Sequence, residues 1–182
     1  MIRRSARPLL LLALLCAAPH ARAEPPPAKL GRFLLDVDTG PSFSITGPYY
    51  SLWYDVGIDF GVAVTPDHNG YILFSPQLQI GSDVEQLLLS LGFQYDVRLP
   101  VRGLYLTPRL LAGYAPIFFS NLKTAGIFDL GFIEPAIGIK YVLRGRWSFG
   151  LTPFSLPIFF GASPSERVVV NYRLLASAGV CF

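Results

Sequence analysis

The sequence predicts an all-β fold, namely an eight-stranded antiparallel up-and-down barrel that spans a membrane. Three observations predict it. Apolar residues alternate with small or polar residues at period two, eight such runs follow one another, and the bulky side chains share one face of each run. Period two is the spacing of side chains on one face of a β-strand.

The first residues have the organisation of a secretory signal and are set aside. They comprise a basic start, an apolar core over residues 9–18 and a small-x-small cleavage site over residues 21–23. The apolar core is too short to span a bilayer. We therefore predict a signal peptide over 1–23, a proline-rich leader over 24–29 and the barrel domain over 30–182.

Composition argues against several classes of partner once the signal is removed. The whole chain carries a net charge of +3, but residues 24–182 hold 11 basic and 12 acidic residues. This balance gives no support for a nucleic-acid partner, which requires a clustered basic face.

The two cysteines support neither lipidation nor a disulfide. Cys16 is not expected to be lipidated, because a lipidated cysteine requires a small residue before it and Leu15 stands there. Only Cys181 would remain after cleavage, so no intrachain disulfide is expected.

The second run, YSLWYDVGIDFGVAV over residues 50–64, shows the alternation most clearly. Tyr54, Ile58 and Phe60 share one face, whereas Asp55 and Asp59 share the other. No run of about 18 apolar residues, as a spanning helix needs, exists beyond the signal. In chain order, the eight runs cover residues 33–45, 50–64, 72–80, 89–99, 106–114, 133–141, 146–160 and 171–182.

Prolines are the feature that fits a closed barrel least well. A closed barrel has no free edge on which a missing N–H is harmless, so we expect prolines at bulges or strand ends. The seventh run changes phase from Phe149 and Leu151 to Phe154 and Phe160, which predicts a bulge near Pro153. The prolines within or beside the runs are Pro41, Pro76, Pro108, Pro116, Pro135, Pro153 and Pro157.

The connections between runs alternate in character. TPDHNG, LPVRG and LRGR are tight, whereas GSDVEQ, SNLKTAGIFD and GASPSER are mostly longer and polar. With both termini in the periplasm, all the tight connections lie on that side. This asymmetry is typical of bacterial outer-membrane barrels.

The size of the two faces predicts which one is inside. An eight-stranded barrel is only just wide enough for side chains to fill it. Small and charged residues suit that narrow lumen, and bulky apolar residues suit lipid. A soluble periplasmic barrel or sandwich, with the apolar face inside, is the alternative.

With its signal peptide, eight alternating runs, short turns and terminal AGVCF, the chain resembles the small eight-stranded outer-membrane β-barrels, the class of the OmpA transmembrane domain and OmpX. The resemblance rests on pattern over about residues 30–182. It implies a bacterial outer-membrane location, contact with outer-membrane lipid and insertion by the barrel-assembly machinery. In that class a terminal Phe after alternating apolar residues is the assembly signal, which here would be Tyr172, Val180 and Phe182. Alternatively, Phe182 simply packs at a strand end.

Charged residues on the small face are the candidate site. Buried charges must be paired or hydrogen-bonded, so near-balanced charge predicts a salt-bridge network that plugs the lumen. Because acids outnumber bases, a gated path for ions or small solutes is the alternative. The candidate residues are Asp36, Asp38, Asp55, Asp59, Asp96, Arg98, Arg109, Glu134, Lys140 and Arg173.

Catalytic and metal chemistry has little support in the sequence. His68 is the only histidine beyond the signal and falls in the predicted turn PDHNG, with no serine close in sequence. One histidine and one cysteine at unrelated positions do not make a zinc site. We therefore predict a non-enzymatic barrel, monomeric in its membrane and without cofactor or metal, with an envelope-structural or surface-interaction role. A narrow porin-like channel and, less favoured, a lipid-modifying enzyme are the alternatives.

Overall fold

The computed structural model describes residues 30–46, 52–81, 84–119, 128–161 and 168–182. The predicted signal peptide and leader lie outside the described residues. No helix in the described ranges is long and apolar enough to cross a membrane. The ten β segments are β1 Phe33–Ser44, β2 Leu52–Ala63, β3 Gly70–Ile80, β4 Val84–Tyr95, β5 Val97–Arg98, β6 Leu104–Phe119, β7 Phe128–Leu143, β8 Trp147–Ser155, β9 Ile158–Gly161 and β10 Val169–Cys181.

These segments form a closed, eight-stranded antiparallel barrel. Neighbours pair in the order β1, β2, β3, β4, β6, β7, β8 and β10, and β10 returns to pair with β1. β5 continues the line of β4 along β6, and β9 continues that of β8 along β7 and β10. At the closure, Phe33 and Phe182 exchange backbone hydrogen bonds of 2.7 and 2.9 Å. The predicted fold class is therefore confirmed.

The two faces of each strand are also as predicted. Along β2, Tyr54, Ile58 and Phe60 are exposed on the outside, whereas Asp55 and Asp59 are buried in the lumen. Leu91 on β4 is 62% exposed. A soluble barrel would have the opposite arrangement, with its apolar side chains inside.

The predicted bulge in the seventh run is present. Arg173 pairs with Ser155 and Leu175 with Thr152, so between these pairs two residues of β8 face one of β10. The extra residue keeps both Phe149 and Phe154 outside while Ser155 points inward.

Most other prolines lie inside strands, contrary to the expectation of bulges or strand ends. Pro41, Pro76, Pro108, Pro116 and Pro135 all belong to continuous strands. Pairing between neighbouring strands is interrupted locally instead, because proline has no N–H to donate. Pairing of β1 with β10, for example, stops at Thr39 and resumes at Ser42 without a change of register.

All three tight turns lie at one end of the barrel, together with Leu30 and Phe182. Backbone conformations in the left-handed region close them, at His68 between β2 and β3, at Gly103 between β5 and β6, and at Arg144 and Gly145 between β7 and β8. Glycine adopts this conformation without steric cost. We call this end of the barrel the turn end.

Candidate functional site: the barrel lumen

The lumen brings together nine of the ten predicted charged residues. Inward alternation places eight of them on five of the eight barrel strands, the ninth directly follows a sixth strand, and each is at most 9% exposed. They are Asp36 and Asp38 from β1, Asp55 and Asp59 from β2, Asp96 just after β4, Arg109 from β6, Glu134 and Lys140 from β7, and Arg173 from β10.

Arg173 is the most enclosed cation, with 1% exposure. Its Nε donates to Asp55 Oδ2 at 2.6 Å, and its Nη1 donates to Glu134 Oε2 at 2.8 Å. Its Nη2 donates to Gln77 Oε1. One guanidinium therefore connects β10 to β2, β3 and β7, using the fixed fork of donors that distinguishes Arg from Lys.

Arg109 forms a second cluster, which shares an acid with the first. Its Nη1 lies 2.6 Å from Asp59 Oδ2 and 3.3 Å from Asp38 Oδ2. Its Nη2 lies 3.7 Å from Glu134 Oε1, which also accepts a hydrogen bond of 2.6 Å from Ser155 Oγ. Glu134 thus joins the two arginines into one continuous network.

A third cluster lies nearer the turn end. Lys140 Nζ donates to Asp96 Oδ2, and Gln94 Nε2 donates to Asp96 Oδ1 at 2.8 Å. Beside it, Asp36 Oδ1 accepts a hydrogen bond of 2.5 Å from Ser148 Oγ. Neighbouring side chains therefore contact each buried acid of this cluster.

Arg98 is exposed and is not part of the buried network, so its prediction as a network residue is wrong. The strand is interrupted at Asp96, and beyond this break both Val97 and Arg98 are exposed. Arg98 pairs with the inward-facing Tyr105 in the same register in which Gln94 pairs with Arg109, so it keeps the inward side of the wall. Its side chain is exposed because it lies at the open turn end, beyond the buried part of the lumen. The lumen of the described residues therefore holds six acids and three bases.

Apolar side chains also fill the lumen, which the sequence analysis missed. At the turn end, Leu34, Leu73, Leu111 and Val142 pack in one cluster with Tyr71. Toward the opposite end, Leu88, Ala115, Phe132 and Phe159 form a second, in which the rings of Phe132 and Phe159 are 5.5 Å apart. The charged residues therefore share the lumen with two apolar clusters, and Lys140 Nζ lies 5.5 Å from the ring of Tyr71 in the turn-end cluster.

Several buried polar atoms have no hydrogen-bond partner among the described residues. They include Ser42 Oγ, Asp55 Oδ1, Asn171 Oδ1 and both side-chain polar atoms of Gln79. Such atoms are normally satisfied by water. A separate cavity of about 20 Å³ lies beside Arg109 and Lys140, which is room for about one water molecule.

The other predicted residues are at the barrel wall or the turn end. The side chain of Phe182 is 62% exposed, and its ring lies 5.8 Å from that of Phe33. Val180 pairs with Leu35 and Trp147.

Tyr172 packs its ring edge-on against Phe154 and donates its hydroxyl to the Pro153 carbonyl. His68 lies in the turn before β3, with Nδ1 2.9 Å from the Leu30 carbonyl oxygen. No cluster of three metal-ligating side chains occurs among the residues that the structure describes.

Comparison with known structures decides the class of fold. No family model and no curated protein matches the chain. Neisserial surface protein A (NspA) matches with a TM-score of 0.64 at 12% identity, covering 82% of this chain and 97% of that one. The chain has the fold of the small outer-membrane β-barrels.

Two further structures have the same architecture. The N-terminal β-barrel domain of Pseudomonas aeruginosa OprF gives a TM-score of 0.56 at 17% identity, covering 84% of this chain and 99% of that one. The attachment invasion locus protein Ail of Yersinia pestis gives 0.55 at 11% identity, again over 84% and 99%. The outer-membrane enzyme PagL also shares the fold, with a TM-score of 0.51. At these identities, the similarity identifies the fold but no activity.

Proposed function

We propose that the protein is a non-enzymatic barrel of the bacterial outer membrane, with a plugged, charge-paired lumen. Its role would be to support the envelope or to present its loops to a partner. The observation that carries this proposal is the continuous network through Arg109, Glu134 and Arg173, which fills the lumen together with two apolar clusters. Packed apolar side chains in a narrow lumen oppose ion passage.

The outer-membrane location is supported by the outward apolar face and by the fold. Side chains such as Leu52, Ile72 and Phe149 are half exposed or more on the barrel surface. Contiguous apolar surface of this extent requires lipid or a partner. Carried over from the class of fold, the barrel-assembly machinery would insert the chain by recognising its last strand.

A narrow cation channel is the second candidate, and the charge balance favours it. Without Arg98, the described lumen holds six acids against three bases. Unpartnered polar atoms of Ser42, Asp55 and Gln79 would support water in the half of the lumen away from the turn end. Conduction would still require displacement of the cluster around Leu73 and Leu111.

An enzymatic role is a weaker candidate. Since PagL shares the fold, architecture does not discriminate. His68 lies in a turn rather than beside a nucleophile, and its Nδ1 is already engaged by the Leu30 carbonyl. General acid–base chemistry needs a group within hydrogen-bond reach of the reacting atoms.

Single-channel recording in planar bilayers tests the proposal. The purified folded barrel should give no steady conductance steps. The variant Leu73→Ala/Leu111→Ala, which removes part of the turn-end apolar cluster, is the comparison with an opened lumen. Stable cation-selective steps from the wild-type barrel would overturn the plugged lumen and establish the channel. In that case, Asp55→Asn should lower the cation selectivity.

A further inference from the structure

Exposed arginines are concentrated at the turn end of the barrel. Arg32 precedes β1, Arg98 ends β5, Arg102 lies in the turn before β6, and Arg144 and Arg146 lie in the turn between β7 and β8. All five are exposed, and none forms an ion pair with a residue in the described ranges. Their charge is therefore available to an outside partner.

Four of these arginines lie on two adjoining turns. β6 pairs with β7 from Leu104 opposite Tyr141, and Val142 N donates to the Gly103 carbonyl at 2.7 Å. The turn that bears Arg98 and Arg102 is thereby held against the turn that bears Arg144 and Arg146. We call these four residues the arginine patch. Leu99, Pro100, Arg98 and Arg102 line a cleft of about 400 Å³ at its side.

The arginine patch borders directly on the lipid-facing apolar surface. Val101 is 60% exposed, Trp147 52%, and Tyr141 44%. Aromatic side chains form girdles at both interfaces of membrane barrels. This position places the guanidinium groups at the depth of the lipid head groups.

Acidic groups at this end are scarce. Among the described residues, Asp67 is the exposed acidic side chain of the turn end, and it lies on the turn between β2 and β3. A hydrogen bond with the Thr65 side chain lowers the pKa of the Asp67 carboxyl, so it is ionised at neutral pH. The carboxylate of Asp67 and the carboxyl group of Phe182 do not balance four guanidinium groups, and bidentate hydrogen bonding to phosphate is the interaction for which arginine is best suited.

We propose that the arginine patch binds the phosphate head groups of anionic phospholipids in the leaflet that contacts the turn end. The inference rests on the proposed membrane location but not on a closed lumen. It predicts that lipids such as phosphatidylglycerol are enriched beside β6, β7 and β8 relative to zwitterionic lipids.

Lipid selectivity of the folded full-length barrel tests the inference. The barrel is placed in phosphatidylcholine vesicles, and spin-labelled phosphatidylglycerol and phosphatidylcholine report their relative association with it. We expect the wild type to prefer phosphatidylglycerol. One basic group near an anionic surface contributes about fivefold in affinity, so Arg102→Gln should reduce the preference by up to about that factor. The variant Arg98→Gln/Arg102→Gln/Arg144→Gln/Arg146→Gln should abolish it.

Arg32→Gln is the matched control, because it removes the same charge from the same end but outside the patch. It should reduce the preference less than Arg102→Gln does. No preference in the wild type, or equal loss in both single variants, would overturn the inference. Displacement of the labelled lipid by millimolar glycerol phosphate would overturn the assignment to membrane lipid, leaving a site for free phosphate.

These outcomes are separate from the test of function. A barrel that conducts ions but prefers phosphatidylglycerol would support lipid binding by the arginine patch and contradict the plugged lumen. A barrel that shows neither conductance nor lipid preference would support the plugged lumen and contradict lipid binding by the arginine patch.

Discussion

Replacement of Arg173 by alanine tests the lumen network at its most enclosed point. The variant removes the only cation within salt-bridge distance of Asp55 among the described residues, together with the hydrogen bond to Gln77. Glu134 is affected less, because it keeps the hydrogen bond from Ser155 at 2.6 Å and Arg109 at 3.7 Å. The main damage should therefore fall on Asp55, which is 1% exposed.

The magnitude follows from the burial of both partners. Removing one member of a buried ion pair costs about 3 to 5 kcal/mol, because the remaining charge has neither water nor a partner. We expect Arg173→Ala to lower the free energy of unfolding by an amount within that range. Arg173→Ala/Asp55→Asn, in which the unpaired acid is neutralised, should recover about 2 kcal/mol or more.

Equilibrium urea unfolding in lipid vesicles provides the measurement, with tryptophan fluorescence as the signal. The chain has two tryptophans, Trp53 and Trp147, and Trp147 is 52% exposed on the lipid-facing surface. Arg98→Ala is the matched control: it removes an exposed arginine, and its effect should stay within about 0.5 kcal/mol.

Two results would refute the reasoning. A loss in Arg173→Ala no larger than that in Arg98→Ala would mean that the network contributes nothing measurable. Failure of Asp55→Asn to recover stability would mean that the loss arises from the cavity left by the side chain and not from an unpaired charge.

Three further predictions concern the outer surface, the last strand and the topology. Leu174→Arg, on the lipid face of β10, should lower the free energy of unfolding by about 2 to 4 kcal/mol. Val101→Arg at the turn end should lower it by about 0 to 1 kcal/mol, because the penalty for a buried cation falls toward the membrane interface. Equal losses of stability in urea unfolding would contradict the assignment of depth. Deleting Phe182 removes two backbone hydrogen bonds and a ring contact with Phe33. If the residue is also an assembly signal, the deletion should reduce insertion in cells far more than refolding in detergent. Similar losses in both assays would leave Phe182 with only a packing role. Single cysteines at Glu85 and His68, in a Cys181→Ser background, should differ in labelling by an impermeant maleimide on intact cells, with Glu85 reactive and His68 protected; equal labelling would contradict the orientation.

Alternation sufficed to predict the wall of the barrel because lipid and lumen impose opposite demands on neighbouring residues. Asp55 and Asp59, set between bulky residues, could be assigned to the lumen from the sequence. The change of phase near Pro153 could be predicted for the same reason, since the outward residues Phe149 and Phe154 are an odd number of positions apart. The chemical contrast between the faces is lost at Leu73, which stands between Ile72 and Phe74. Its phase with Ser75 and Gln77 marks it as inward, but its side chain does not.

The pairing of charges could not be predicted from the sequence. Arg173 and Asp55 are 118 positions apart, and they meet across the lumen only because the closure of the barrel fixes the heights of β2 and β10 relative to each other. Near-balanced charge predicts that partners exist, but not which residues they are. Arg98 shows the corresponding error, because alternation indicates the side of the wall but not whether a residue lies deep in the lumen or at its open end.

Glycines on the inner face explain how such a narrow lumen accommodates long charged side chains. A Cβ atom at Gly57 would lie 2.5 Å from Cγ of Gln77, the residue that accepts a hydrogen bond from Arg173. A Cβ atom at Gly138 would lie 2.7 Å from Thr107 Oγ1 and 2.9 Å from Thr152 Oγ1. Both positions face inward beside polar residues of the lumen, so added methyl groups would force those side chains to move. The alternation of small and large inward residues is therefore a condition for the network, since two guanidinium groups extend across the lumen only where the facing strands leave room for them.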